Sequence, residues 1–159
     1  MLAASLEVWK SVEIGNGPNT IDELRRALKG KGRVVNRTAD AILGQTVFSR
    51  RKTRVVLVKK SLEEVGFTDG VGYGRFCTRV KELKLGLCQP EAIAKLCLQD
   101  LTETEEPYLI AMEPVNVKDP ELQTILRIFF KDGVLWLGTA SFPPEAILPP
   151  DSMFILRTL

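Results

Sequence analysis

The sequence predicts an α+β fold, with short helices packed on a largely antiparallel sheet formed mainly by the C-terminal half. Three observations carry that expectation. Helix signatures cluster early: two S/T-x-x-E capping arrangements and a stripe of apolar residues at helical spacing all lie before residue 95. After residue 96 the texture turns to strand-like runs, among them "LCLQDL", "PYLIAME", "ILRIFF", "VLWLGTA" and "MFILRTL". Turn signals such as Lys131-Asp132-Gly133 separate those runs. A single domain over residues 1–159 follows, helix-rich over 1–95 and strand-rich over 96–159. A chain of that length buries roughly two thirds of the surface that its unfolded form exposes.

Taken in order, "LEVWKSVEI" alternates, with Val8, Lys10, Val12 and Ile14 set against Trp9, Ser11 and Glu13, which is strand periodicity. "GNGPN" breaks the chain. Thr20 and Glu23 then form a capping box for a helix whose inner face is Ile21, Leu24, Ala27 and Leu28, with Gly30 as its stop. A second short helix is expected over "RTADAILG", with Ala39, Ile42 and Leu43 inward. "TRVVLVKK" is β-branched and reads as a well-buried strand, and the Ser61–Glu64 capping box after it opens a single helical turn. From Tyr73 to Leu83, the apolar residues Tyr73, Phe76, Cys77, Val80 and Leu83 make the clearest amphipathic helix. "QPEAIAK" reads as a short helix with Pro90 in its first turn and Glu91 at the positive end of its dipole. The turn Lys131-Asp132-Gly133 between "ILRIFF" and "VLWLG" predicts a hairpin. The expected core is Trp9, Leu24, Leu28, Ile42, Val56, Val58, Phe76, Val80, Leu83, Leu96, Leu98, Ile110, Ile128, Leu135, Leu137 and Ile155.

Composition narrows the function classes. Hydrophobic residues at 45% and charged residues at 26% are ordinary globular values and exclude a disordered or collagen-like chain. No apolar run approaches the roughly 20 residues of a membrane span. The start "MLAASLEVWK" lacks a basic segment and meets Glu7 early, so it does not read as a signal peptide. Three cysteines, an odd number, fit a reducing, cytoplasmic location. There is no histidine, which removes Ser-His-Asp and Cys-His nucleophile pairs and imidazole-ligated metal sites. The net charge of +2 is unevenly placed: residues 1–84 carry 17 Lys and Arg against 9 Asp and Glu, residues 85–159 carry 5 against 11. Either the basic half offers a face to a polyanion, or the two halves attract each other inside one fold. The second reading is favoured, because each half is small for a separate domain.

Each candidate site stands beside a structural alternative. Cys77, Cys88 and Cys97 are eleven and nine residues apart, without the C-x-x-C knuckles of a metal centre, so no metal is expected. Cys77 falls on the helix stripe and Cys97 within the strand-like "LCL", where free cysteine packs as a small hydrophobe. Cys88 precedes a helix whose positive end would lower its pKa, which leaves it as a candidate nucleophile, although a buried turn cysteine is the favoured reading. Glu91 and Glu113 are the carboxylates for acid–base chemistry beside Cys88, provided that they converge. The glycine run "GVGYG" follows a loop and lacks a Walker lysine, so it reads as a helix lead-in, and no cofactor is implied. The most suggestive surface feature is "SRRKTRVVLVKK". Arg50, Arg51, Lys52 and Arg54 cluster before the strand, Lys59 and Lys60 close it, and Lys29, Lys31 and Arg33 lie in another loop. Clustered cations suit phosphates. Charged strand ends also act as gatekeepers against edge pairing, and no aromatic interleaving of the kind found on an RNA-binding sheet is evident.

The ordered segments "WKSVEIGNG", "ELRRALKGKG", "DAILGQTVF", "EEVGFTDG", "RVKELKLGLCQPEA", "LCLQ", "LIAMEPV" and "VLWLG" resemble a family of small uncharacterised bacterial proteins. This chain departs from the family pattern at Gln89-Pro90, where the family usually has proline directly after the cysteine, at Cys97, where arginine is usual, and at Thr38-Ala39, where Trp-Ala is usual. The resemblance implies a bacterial cytosolic origin and one intact domain, and brings no activity with it. Two functions are therefore carried forward. The first is a non-enzymatic binding or adaptor module that engages a protein or nucleic acid through its basic N-terminal half and no membrane. The second is a hydrolase-like enzyme using Glu91 or Glu113 in a cleft beside Cys88.

Overall fold

The computed structural model describes residues 7–101, 107–117 and 119–159. Among these the chain runs β1 (Lys10–Ile14), α1 (Ile21–Gly30), β2 (Val34–Val35), α2 (Arg37–Leu43), β3 (Thr53–Ser61), β4 (Val71–Gly72), α3 (Tyr73–Glu82), β5 (Leu85–Gly86), α4 (Pro90–Cys97), β6 (Tyr108–Ile110), β7 (Gln123–Lys131), β8 (Val134–Phe142), β9 (Ile147–Leu148) and β10 (Met153–Thr158). Eight strands form one curled sheet in the order β1-β3-β10-β6-β7-β8-β2, with β5 attached to β10. β4 and β9 make a separate two-stranded ribbon. The β6–β10 and β2–β8 pairs are parallel and the remaining pairs of the sheet antiparallel. The fold is α+β in a single compact domain, as the sequence predicts.

Local chemistry accounts for the elements. Thr20 caps α1 by accepting from the Glu23 amide at 3.2 Å, while the Glu23 carboxylate accepts from the Asn19 amide at 3.4 Å. Gly30 closes α1 from inside, and the positive φ that ends the turn falls at Gly32 instead. Ser61 and Glu64 form a reciprocal capping box, at 3.1 and 2.8 Å, around the single 3₁₀ turn Glu63–Val65. The β7–β8 hairpin turns on Asp132 and Gly133, at φ of 52° and 78°, the two left-handed residues that a tight antiparallel turn requires.

Helices cover both faces of the sheet. On one face lies α3, whose Tyr73 and Phe76 pack with Phe154, their ring centroids 6.0 and 4.4 Å from it, and with Phe142 beside Tyr73 at 5.5 Å. The Tyr73 hydroxyl donates to the Met112 carbonyl at 2.6 Å and accepts the Met112 amide at 2.8 Å, satisfying both polar groups of a buried residue just past β6. On the other face sits α4, buried on every side from Glu91 to Cys97 and packed against β1, α1 and α2. Its last turn ties together the two edges of the curled sheet. Arg33, at the start of β2, donates to the carbonyls of Cys97 and Gln99 at 2.7 Å each, and the Gln99 amide donates to Ser11 of β1 at 2.7 Å.

That arrangement corrects one expectation. "LCLQDL" is not a strand: Leu96 and Cys97 finish α4, and Leu98 is its C-cap. The end of a helix buried on all sides is a short apolar run, and periodicity alone cannot distinguish such a run from a buried strand. Of the expected core, Trp9, Val56, Leu83 and Leu98 are half-buried and the other twelve are buried.

Candidate functional site

Glu91 anchors the part of the molecule that carries the exposed cations. Its side chain is 0% exposed. One carboxylate oxygen accepts the Ser49 amide at 2.8 Å; the other accepts the Gly15 amide at 3.0 Å and faces Lys95 Nζ at 3.1 Å. Lys95, one helical turn on and itself buried, also donates to the Asn16 carbonyl at 2.9 Å. A buried ion pair is tolerable only when its remaining hydrogen-bonding capacity is filled, and here backbone groups of two loops fill it. The loop after β1 and the loop before β3 are thereby locked to the start of α4. Gly15, at φ 84°, lets them meet: a β-carbon there would collide with the Arg51 carbonyl.

The second of these loops is the basic one. Ser49 Oγ lies 2.8 Å from the Arg51 carbonyl and accepts the Arg51 amide at 3.3 Å, and Thr53 Oγ1 donates to the same carbonyl at 3.1 Å. Arg50, Arg51, Lys52 and Arg54 all point to solvent from this fixed backbone. Lys52 pairs with Glu13 at 3.3 Å, whereas among the described residues no carboxylate pairs with Arg50, Arg51 or Arg54. The two other cations expected at the interface are engaged elsewhere. Lys31 holds Asp100 at 3.0 Å, keeping that carboxyl below its ordinary value, and Arg33 caps α4. Arg33 therefore belongs to the fold and not to the exposed set.

Among the described residues, the ion pairs of the basic half are of both kinds. Lys31–Asp100 joins the two halves, while Arg25, Lys52 and Arg79 take their carboxylate partners, Asp22, Asp40, Glu13 and Glu82, from within residues 1–84.

The second candidate site is a cleft of about 380 Å³ lined by residues that include Leu87, Cys88, Pro90, Met112 and Glu113. Cys88 and the exposed Glu113 share it; Glu91 does not line it. Burial pushes the Cys88 thiol up to about 12, and its Sγ donates to the Ile155 carbonyl at 3.6 Å. The expected lowering is not what the fold produces: desolvation opposes the thiolate more strongly than the Arg157 charge favours it. Cys97 is likewise raised to about 12 by burial, and Cys77, half-buried, is raised as well. The three thiols are free, and among the described residues no cluster of three or more Cys, Asp or Glu side chains is placed to hold a metal ion.

A third feature corrects the expectation that aromatics and cations do not interleave on a sheet face. Pairing within β7–β8 sets Ile128 opposite Leu137 and Phe130 opposite Leu135 on the side facing the core. It therefore places Arg127, Phe129 and Lys131 with Trp136 and Gly138 on the other side. Phe129 and Trp136 stack at 5.9 Å and 19°, the Arg127 guanidinium lies 4.6 Å from the Phe129 ring centre, and Lys131 Nζ lies 5.7 Å from that of Trp136. The alternation in "ILRIFFKDGVLWLG" is the signal that finds this interleaving of aromatics and cations, once the hairpin register is granted.

Comparison of the chain with family models, with curated proteins and with solved structures finds no match in any of the three. No helix among the described residues is long and apolar enough to cross a membrane.

Proposed function

We propose that the protein is a non-enzymatic binding module that takes a nucleic acid on the basic segment 49–54, the end of the loop before β3 and the first residues of that strand. The observation that carries this reading is the Glu91 clamp, which fixes the loop backbone while Arg50, Arg51 and Arg54 stay exposed and, among the described residues, without carboxylate partners. Guanidinium groups on a rigid backbone lose less freedom on meeting phosphates than those on a mobile tail, and they bring charge-assisted contacts. Two observations weigh against the hydrolytic alternative. Glu91 is committed to backbone amides and Lys95, and the Cys88 thiol stays protonated at neutral pH.

The test is fluorescence anisotropy with a labelled 20-nucleotide oligonucleotide over a range of salt concentrations. Replacing Arg50, Arg51 and Arg54 together by Ala is expected to weaken binding at least tenfold and to flatten the salt slope by about 2 for a single strand. Unchanged affinity and slope in a folded triple variant would overturn the proposal.

A further inference from the structure

We infer that the outer face of the β7–β8 hairpin is a stacking site for unpaired nucleobases, which makes the partner a single-stranded nucleic acid. The inference rests on the proposed function for the class of partner, and on a different surface for its own evidence.

Phe129 and Trp136 are half-buried and belong neither to the core nor to the partly buried residues packed against it. Core packing on the opposite side of the same strands is supplied by Ile128, Leu135 and Leu137. The two rings stack nearly parallel across the ladder, and Phe129 leans over Gly138, where a β-carbon would come within 3.0 Å of its ring and of the Asn36 side-chain amide. A glycine opposite Arg127 thus leaves room for the ring to lie across the strand.

The charges on this face match the same ligand. Arg127 and Lys131 sit over the two rings, and among the described residues neither forms an ion pair with a carboxylate. A nucleotide offers both things that such a surface takes: a flat base for the ring and a phosphate for the cation beside it. The guanidinium over Phe129 is itself planar and adds a second surface on which a base can stack. An acidic peptide would use the cations and leave the rings idle. Duplex nucleic acid keeps its bases stacked on one another and out of reach.

The experiment uses the full chain carrying Trp9→Phe, which leaves Trp136 as the one tryptophan. Titration with (dT)20 is expected to quench Trp136 fluorescence, and a fully abasic 20-mer and inorganic polyphosphate are expected to leave it unchanged. Phe129→Leu and Trp136→Leu keep an apolar cover on the hairpin but remove the stacking ring. Each is expected to weaken (dT)20 binding about tenfold while leaving polyphosphate binding alone. Phe129→Tyr is expected to restore affinity, and thermal midpoints confirm that the variants are folded.

The outcomes separate the two ideas. Equal affinity for (dT)20 and the abasic strand, with no effect of the leucine variants, overturns the stacking site and leaves the arginine loop standing. Loss of (dT)20 binding in the leucine variants, with none in the arginine variant, upholds the stacking site and overturns the loop. Binding confined to duplex, or no binding to any of these probes, overturns the stacking site.

Discussion

At the scale of single residues, Glu91 shows how one side chain can hold two distant segments in place. Its partners at Gly15 and Ser49 lie 76 and 42 residues away in the chain. Replacing it by Gln would leave Lys95 buried beside a neutral amide, and removing one member of a buried pair costs about 3–5 kcal/mol. Urea denaturation of Glu91→Gln is therefore expected to show a loss in that range, with Lys95→Met in the same background recovering part of it. The thiols give a second prediction. Cys88 and Cys97 titrate at about 12 in the fold, against an ordinary value of 9.0. A group whose native pKa is raised contributes stability that is present below the unfolded value and lost as pH rises through the folded one. Stability is thus expected to fall between about pH 9 and pH 12, less steeply in Cys88→Ala and Cys97→Ala variants. At pH 8, a thiol reagent is expected to label half-buried Cys77 first in native protein and all three cysteines in urea.

At the scale of elements, α4 and the β7–β8 hairpin differ in how far they can be read in advance. The hairpin is fully local: its turn residues, alternation and pairing lie within 20 residues of one another, and its register follows from Asp132-Gly133. For α4, Pro90 and Glu91 mark the start, but nothing nearby marks the end, because Arg33 caps its last carbonyls from 64 and 66 residues away. Its burial on all sides makes it sensitive to truncation. Ile93→Ala is expected to cost about 2–5 kcal/mol, measured by chemical denaturation, because neighbours from the sheet and two other helices cannot all close on the gap.

At the scale of the whole molecule, the curled sheet gathers its two edges around the end of α4, and the basic loop is fixed at the other end of the same helix. The +8 balance of residues 1–84 therefore shows partly as exposed arginines on a rigid loop, and partly as Lys31 and Arg33 committed to the end of α4. This division predicts different responses to salt. Raising ionic strength is expected to weaken nucleic-acid binding steeply through Arg50, Arg51 and Arg54. The unfolding midpoint is expected to change little, because exposed pairs such as Lys52–Glu13 are worth only about 0–1 kcal/mol.

By itself, the sequence determined the fold class, the helix starts at Thr20 and Ser61, the α3 stripe, the hairpin turn and most of the core. Each of these depends on periodicity or on groups within a few residues of one another. Tertiary structure alone decided which charges are free and which are spent, because that depends on partners brought from 40 to 80 positions away. Glu91 reads locally as a helix-dipole residue and becomes a clamp only when two loops reach it. Cys88 reads locally as either a buried turn cysteine or a thiol beside a helix end, and only the packing around it sets the desolvation that raises its pKa. Strand alternation places Phe129 and Trp136 on one face, but only the fold decides that these two rings stay out of the core while Ile125 on the same face enters it.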